Sequence, residues 1–230
     1  MNILVLNGSP KAQKSDTMHI TRAFLDGMKK TSDVNEKIIN IIEEDIKFCR
    51  GCFSCMNNGG TCIIKDDMKK ILDLLIKSDI VIFSFPLYCY GMPAPLKNVT
   101  DRLLALSSMA MQEVDGRYEH LGQKDISNQR YVMISGCGFP GTKNNNFEPA
   151  VAHFNRCFPR TDNCIVTIPE SPLFNVPDAK EVTEPMLNAV RTAGSEYALT
   201  GKISGRTQKL LEIPMIPESE YVQIVNSRQK

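Results

Sequence analysis

The chain has 230 residues, 42% of them hydrophobic and 23% charged, which is enough to build one hydrophobic core. Its 27 basic and 26 acidic residues give a formal net charge of +1, which argues against a nucleic-acid-binding protein and against a strongly acidic electron carrier. No apolar run approaches the ~20 residues of a membrane-spanning helix. Residues 1–6 are typical of a strand and not of an export signal, so we expect a cytoplasmic protein.

Apolar strands alternate with amphipathic helices along most of the chain. The predicted strands are 2–6, 36–42, 80–85, 131–135 and 164–168. The predicted helices are 15–30, a segment capped by Asp66 or Asp67, the segment that follows Pro93, and 149–158. Strands that are apolar throughout and alternate with helices predict an α/β protein, in which helices cover both faces of a parallel sheet.

Two segments depart from this alternation. The first, 107–129, is polar, and we predict a long loop there that acts as a lid, a subunit contact or a plain surface excursion. The second is the end of the chain, where apolar residues such as Met186 and Val190 recur at helical spacing. We therefore predict a first domain at 1–175 and a helical extension at 176–230, packed on that domain or on a partner subunit.

The loop after the first strand has the composition of a phosphate-binding loop. Residues 7–17 are rich in hydroxyl and small side chains and lead directly into a helix. Backbone N–H groups at a helix start, with the hydroxyls of Ser9, Ser15 and Thr17, form a cradle for phosphate. The loop lacks the Gly-Lys-Ser/Thr ending of a Walker A motif, and its single glycine excludes the dinucleotide fingerprint. A well-capped loop that binds nothing is the alternative.

The loops after the third and fourth strands favour a flat ring system. Residues 84–93 combine Tyr88, Tyr90 and a glycine, which offer a stacking surface with backbone donors, unless this corner is buried under the next helix. Residues 136–141 match G-x-G-x-x-G. They do not follow the first strand or open a helix at once, so they do not indicate a nicotinamide-dinucleotide site. Their glycines instead allow the backbone to approach a bound ring.

Four of the eight cysteines fall in one short segment, with the spacing Cys49-x-x-Cys52-x-x-Cys55-x6-Cys62. A tight run of this kind suits a 4Fe–4S cubane, because one loop can reach several corners of the cluster. Structural zinc more often uses two separated C-x-x-C pairs. The third alternative is a loop of free or redox-active thiols. The spacing leaves all three open.

No side chain is predicted to act as a general acid or base. The three histidines lie far apart in the sequence and form no pattern with a nucleophile. Asp66 and Asp67 are interpreted as a helix cap, and the adjacent Asp101 and Arg102 as a structural ion pair.

The three loops, each after the appropriate strand, together resemble the NADPH-dependent FMN reductase family, which has a flavodoxin-like fold. The resemblance covers roughly residues 1–170 and lies in four segments: Gly8-Ser9-Pro10 with Ser15 and Thr17, then 86–88, 96–102 and 136–138. It implies a three-layer sandwich with a five-stranded parallel sheet in the order 2-1-3-4-5. It also implies non-covalently bound FMN and a homodimer or higher homo-oligomer.

The resemblance assigns roles to particular residues of this chain. The implied phosphate ligands are Ser9, Lys11, Ser15 and Thr17, with the lysine standing where many relatives have arginine. The residues implied to flank the isoalloxazine ring are Pro86, Leu87, Tyr88, Gly91 and Met92 on one side, and Gly136 and Gly138 on the other. The flavin itself would carry the redox chemistry, so no catalytic side chain is expected.

The implied activity is that of an oxidoreductase. NAD(P)H would reduce FMN, which would then reduce free flavin, a quinone, a nitro or azo compound, or a protein. The cysteine segment also resembles the compact motif of the iron–sulfur flavoproteins, a branch of the same fold. An electron-transfer module without direct NAD(P)H activity, with a 4Fe–4S cluster on Cys49, Cys52, Cys55 and Cys62, is therefore the alternative. A third is a regulatory protein that has kept the fold and lost the flavin.

Overall fold

The computed structural model describes residues 1–159 and 162–227 of the chain. The strands, in chain order, are β1 (Asn2–Asn7), β2 (Asn35–Asn40), β3 (Ile80–Pro86), β4 (Ser107–Val114), β5 (Arg117–Gly122), β6 (Arg130–Gly136) and β7 (Cys164–Ile168). Five of them form a parallel sheet in the order β2-β1-β3-β6-β7. Because β4 and β5 lie outside this sheet, the order is equivalent to 2-1-3-4-5, and the predicted flavodoxin-like topology is confirmed.

Eight α-helices accompany the strands in the described part of the chain. They are α1 (Asp16–Lys29), α2 (Ser54–Asn57), α3 (Met68–Ile76), α4 (Ala94–Arg102), α5 (Glu148–Cys157), α6 (Lys180–Thr200), α7 (Gly205–Leu211) and α8 (Glu218–Ser227). The helices predicted at 15–30 and 149–158 correspond to α1 and α5, and those predicted after Asp66 or Asp67 and after Pro93 correspond to α3 and α4. No helix in residues 1–159 or 162–227 is long and apolar enough to cross a membrane.

The sheet separates two hydrophobic cores, and the apolar composition of its strands explains why. In β1, Val5 points into the core formed with α1 and α6, and Leu6 points into the core formed with α3, α4 and α5. Neighbouring strands continue both cores, since Val5 lies between Ile38 of β2 and Ile82 of β3. A central strand of a doubly covered sheet must be apolar on both faces, as this one is.

The C-terminal extension packs on α1. Along α6, Val190, Ala193 and Tyr197 are buried in the same core as Phe24 of α1. The predicted apolar helix face is therefore present and occupied within this chain. The division of the chain at residue 175, and any contact of the extension with a partner subunit, stay predictions.

The prediction of a long loop at 107–129 was wrong. Strands β4 and β5 form an antiparallel hairpin, which pairs Val114 with Arg117 across a two-residue turn. Asp115 and Gly116 in that turn have φ angles of 50° and 74°, both in the left-handed region. An Asp-Gly turn with two positive φ angles matches the right-handed twist of a hairpin, so this dipeptide explains why the polar insertion is folded.

The two helices α1 and α6 cross at two glycines. A Cβ atom on Gly27 would lie 1.9 Å from the Arg191 carbonyl oxygen, and one on Gly194 would lie 2.0 Å from the Phe24 carbonyl oxygen. Both distances are far inside van der Waals contact, and both neighbours are backbone. Only glycine at these two positions allows the backbones of α1 and α6 to approach each other this closely.

We expect Gly194→Ala to destabilise the protein by at least the ~1–3 kcal/mol typical of overpacking, because the backbone of α1 must move away. Urea unfolding, followed by circular dichroism, measures the change. Gly205→Ala is the matched control, since a Cβ there meets nothing within 4 Å. We expect this control to leave stability unchanged or raise it by up to ~1 kcal/mol. Equal midpoints for Gly194→Ala and wild type would refute the crossing as described.

Candidate functional site

Three loops leave the carboxyl ends of neighbouring strands and meet at one edge of the sheet. They are the hydroxyl loop (8–15) after β1, the tyrosine loop (87–93) after β3 and the glycine loop (137–147) after β6. The parallel register places Asn7 beside Ser84, and Pro86 beside Gly136. This edge, at the point where strand order reverses, is where doubly wound proteins bind ligands. We call it the carboxyl-edge site.

Asn7 folds the hydroxyl loop, a role that the sequence interpretation missed. Its side chain is fully buried; Oδ1 accepts from the Ser9 N–H (3.1 Å) and Nδ2 donates to the Ala12 carbonyl (3.0 Å). Nδ2 also donates to Asn40 Oδ1 at the end of β2 (3.0 Å). A polar residue at the end of an otherwise apolar strand was the available signal. Gly8 lets this loop lie against α4, since a Cβ there would be 2.7 Å from Leu96 Cβ.

The predicted phosphate ligands lie together at the start of α1. Ser9 Oγ accepts from the Lys11 N–H (3.2 Å), and Ser15 Oγ caps the helix by accepting from the Thr17 N–H (3.2 Å). The Ser15 and Thr17 hydroxyls are 2.6 Å apart. All three hydroxyl residues are buried, whereas the Lys11 side chain is exposed, with its ammonium 3.5 Å from Asp16.

This donor set fits a phosphate group. Hydroxyls and backbone N–H groups converge at the N-terminus of a 14-residue helix, where the helix dipole also favours an anion. A phosphate there would take hydrogen bonds from donors that now serve as internal caps. The structure therefore brings Ser9, Ser15 and Thr17 together and leaves Lys11 at the rim.

The tyrosine loop is a tight turn that keeps its rings in solvent. Tyr88 and Gly91 exchange two backbone hydrogen bonds (3.0 and 2.9 Å), and Cys89 and Tyr90 between them have positive φ angles of 47° and 62°. The Tyr88 and Tyr90 side chains are 49% and 51% exposed, so this corner is not buried under α4. Pro86, Leu87 and Met92, at the two ends of the turn, are half-buried.

The glycine loop faces the tyrosine loop. Leu87 N–H donates to the Gly136 carbonyl (2.8 Å), and the rings of Tyr90 and Phe139 stack with centroids 6.3 Å apart. Gly136 is buried, and a Cβ there would lie 2.6 Å from Ser171 Oγ, which gives this glycine a packing role. Gly138 is exposed. Contacts of both glycines with a bound ring stay predictions.

Glu170 ties the glycine loop to the C-terminal extension, and it too was missed. This fully buried carboxylate accepts from the Gly141 N–H (3.3 Å) and from the Met215 N–H (2.8 Å). A buried carboxylate is tolerated only when such donors satisfy it. The extension after α7 thus fixes one wall of the carboxyl-edge site.

The cysteine loop (49–62) follows β2 and gathers all four predicted cysteines around one small cavity, which Arg102 also lines. Burial, with the nearby charges of Cys62 and Cys49, raises the pKa of the Cys55 thiol. Hydrogen bonds from Ser54 lower the pKa of the exposed Cys52 thiol.

Within residues 1–159 and 162–227, no three cysteine, histidine or acidic side chains are spaced to hold a single metal ion. The ligands of a structural zinc site all meet at one ion. A cubane binds each thiolate at a different corner, so it requires sulfurs that are further apart. Four thiols around a shared cavity fit that donor chemistry.

Arg102 pairs with Asp66, so the predicted Asp101–Arg102 ion pair was wrong. The Arg102 and Asp66 side chains are 2% and 0% exposed and form a salt bridge, whereas Asp101 pairs with the exposed Lys97. Burial alone would raise the pKa of Asp66, but hydrogen bonds from Arg102 and from the backbone N–H of Lys47 lower it below its usual value.

The side chain of Asp66, and not that of Asp67, bonds the start of α3. Asp66 Oδ1 accepts from the Met68 N–H (3.2 Å), at the first residue of the helix. The Asp67 carboxylate instead accepts from the Asp45 N–H (2.8 Å). One side chain, Asp66, therefore both caps α3 and pairs with Arg102.

A cavity of about 690 Å³ lies elsewhere, between the β4–β5 hairpin and the helices α4 and α5. Leu106, Tyr131 and Phe158 contribute to its lining. None of the three loops of the carboxyl-edge site borders it. Volume alone therefore does not identify the functional site, whereas the converging polar groups at the carboxyl edge do.

Fold and site together define a flavodoxin-like protein, and comparison with known proteins agrees. A family model described as "Flavodoxin-like fold" matches residues 1–156. The chain belongs to this family. In fold it is similar to an FMN-dependent NADH-azoreductase from Bacillus anthracis in complex with FMN, with a TM-score of 0.61 and 19% identity over 86% of this chain and 99% of that one.

Two relatives have higher sequence identity. An iron-sulfur flavoprotein of Archaeoglobus fulgidus is 32% identical over 102 residues, or 44% of this chain and 48% of that protein. An FMN-dependent NADH:quinone oxidoreductase of Pelagibacter ubique is 29% identical over 159 residues, or 64% of this chain and 76% of that protein. The chain thus spans about half the length of the first relative.

We expect Asp66→Asn to destabilise the protein by about 3–5 kcal/mol at pH 7, because it leaves the buried Arg102 charge unpaired. The lowered pKa of Asp66 means that its contribution is present above about pH 4 and is lost as the pH falls through the folded-state pKa. The difference in the free energy of unfolding between wild type and variant should therefore become smaller as the pH is lowered. Urea unfolding from pH 7 to pH 3 measures it.

Asp101→Asn is the matched control, since it removes an exposed carboxylate from a surface pair. Its cost should stay below about 1 kcal/mol. A gap between wild type and Asp66→Asn that does not change with pH would contradict the assignment.

Proposed function

We propose that the protein is an FMN-dependent NAD(P)H oxidoreductase that passes electrons to a flavin, a quinone, a nitro or azo compound, or a protein. The observation that carries the proposal is the convergence of the hydroxyl, tyrosine and glycine loops at one edge of the sheet. This edge offers anion donors beside exposed aromatic rings, which suits a ligand with a phosphate at one end and a flat ring system at the other.

In this proposal, the start of α1 holds the FMN phosphate. Ser9, Ser15 and Thr17 supply hydroxyls, and the backbone N–H groups of Lys11 and Thr17 supply further donors. Asn7 keeps these donors in place through its bonds to Ser9 and Ala12 in the loop. FMN, when bound, supplies the hydride and electron chemistry, and the chain supplies binding and orientation.

The ring would lie between the tyrosine loop and the glycine loop. Tyr88 and Tyr90 present half-exposed rings, and the turn that carries them is held by the Tyr88–Gly91 bonds. Glu170 holds the opposite wall through the Gly141 N–H. An open rim of this kind admits flat, small-molecule acceptors, and the names of the azoreductase and quinone oxidoreductase relatives support that class. A cytoplasmic homodimer stays part of the proposal.

The electron-transfer module with an iron–sulfur cluster is the second candidate. One observation favours it: the four cysteines line a shared cavity in a loop that follows β2, the strand beside β1. The relatives named iron-sulfur flavoproteins also support it, although the match to the first of them covers only 44% of this chain. The quinone oxidoreductase match covers 64%, so the first proposal has the broader support.

We expect the purified protein to be yellow and to release FMN, and not FAD, on denaturation. Ser9→Ala and Thr17→Ala should each weaken FMN binding about 10- to 100-fold, because one hydrogen bond to a charged group contributes about 1.5–3 kcal/mol. Fluorescence titration of the apoprotein with FMN gives the dissociation constants.

Thr192→Ala is the control for this titration, since Thr192 is an exposed threonine of α6 whose hydroxyl donates to the Asn188 carbonyl of the same helix. It should bind FMN like wild type. Thermal melting of each apoprotein shows whether a weaker variant is folded. A colourless protein that cannot be reconstituted with FMN would rule out the proposal.

We expect NADH or NADPH to bleach the bound flavin rapidly in anaerobic stopped-flow mixing. Hydride transfer from a nicotinamide to the flavin would remove the flavin's visible absorbance at once. Bleaching by a reduced ferredoxin-like donor, with no bleaching by either nucleotide, would favour the electron-transfer module instead. The same traces, with quinone or azo dye added, show which acceptor restores the absorbance.

A further inference from the structure

In the guanidinium of Arg102, Nη1 and Nη2 have acceptors and Nε, within the described residues, has none. Nη1 donates to Asp66 Oδ2 and to the Lys47 carbonyl (3.1 Å), so this nitrogen is fixed. Nη2 donates to Cys62 Sγ (3.4 Å), and the buried Nε has no partner in the described part of the chain. Nε and Nη2 lie on the same edge of the planar group, which therefore forms a two-donor fork beside Cys62.

Arg102 borders the cysteine cavity, and its Nη2 donates to one of the cysteines that line it. Arg102 is 4% exposed and lines the cavity together with Cys49, Cys52, Cys55 and Cys62. A buried N–H without a partner is costly, and it is rare in a folded protein. Nη2, next to Nε, already donates to a cysteine sulfur. A second sulfur acceptor in the cavity would therefore explain why Nε has no partner within the described residues.

We propose that Arg102 is a positioning residue for a sulfur-ligated metal cluster, to which its Nε–Nη2 edge donates N–H···S hydrogen bonds. The proposal rests on the second candidate function, the cluster on the four cysteines. Asp66 holds the guanidinium from the other side and so orients the fork, as outer-shell partners of metal ligands do. In this proposal the Asp66–Arg102 pair orients the fork toward the cluster, in addition to joining the start of α3 to the end of α4.

The positive charge of Arg102 determines in which direction it shifts the reduction potential of the cluster. A cubane held by four thiolates is anionic, and it becomes more negative when it accepts an electron. Hydrogen bonds to its sulfurs and a nearby positive charge stabilise the reduced form, and this raises the reduction potential. Removing the fork should therefore lower the potential without removing any ligand.

The test uses the full chain, reconstituted anaerobically with ferrous iron and sulfide. Wild type should hold about four irons and four acid-labile sulfides per chain, which Cys52→Ala should lose. Arg102→Lys keeps a cation beside Asp66 and loses the planar fork. Potentiometric titration with dithionite, read by electron paramagnetic resonance of the reduced cluster, gives the potential of each protein in a signal that the flavin does not obscure.

We expect Arg102→Lys to retain its iron and to have a lower potential than wild type. The ratio of reduced to oxidised cluster at a fixed potential should fall about tenfold, which is about 59 mV for a one-electron couple. The reduction potential of Arg102→Gln should be lower still, because this variant also loses the positive charge. If Arg102→Gln does not fold, the Arg102→Lys result alone tests the proposal. Lys97→Gln is the matched control, because it removes an exposed cation from the same helix and should leave the potential unchanged.

Each other outcome overturns the proposal. Wild-type protein without iron after reconstitution would remove the second candidate function and the proposal together. An unchanged potential in an iron-containing Arg102→Lys protein would remove the proposal alone. Loss of iron from a folded Arg102→Lys protein would also contradict it, because the fork would then be needed to build the site and not to tune it.

Discussion

The reversal of strand order between the parallel strands β1 and β3 determines what this molecule can bind. From β1 the chain crosses one face of the sheet to reach β2, and it later crosses the other face to enter β3 on the opposite side of β1. The hydroxyl loop and the tyrosine loop therefore leave adjacent strand ends and diverge, which opens a crevice between them. The two hydrophobic cores hold the sheet in place, and the strand order of the sheet determines where the crevice lies.

Buried polar groups then hold the individual loops to this frame. Asn7 shapes the hydroxyl loop, Glu170 joins the glycine loop to the C-terminal extension, and Arg102 with Asp66 joins the cysteine loop to α3 and α4. Each group is costly to bury alone and is stable only with its partners in place. The loops at the carboxyl edge are consequently preorganised, which lowers the entropy that a ligand must offset on binding.

The strands, the helices and the three loops could be predicted from the sequence, because apolar periodicity and turn residues are local signals. The hairpin at 107–129 was missed although Asp115-Gly116 is a local signal, because its strands are exposed and show no apolar alternation. The partner of Arg102 could not be predicted, since Asp66 is adjacent only in the fold. Sequence proximity suggested Asp101, which points to solvent and pairs with Lys97.

The central claim is that the carboxyl-edge site binds a flavin through the start of α1. Hydrogen–deuterium exchange of the full chain with and without added FMN tests it most directly. The account predicts slower exchange of backbone amides in the hydroxyl loop, in the first turn of α1 and in the tyrosine loop. Protection confined to the cavity between the hairpin and α5, or no protection at all, would contradict it.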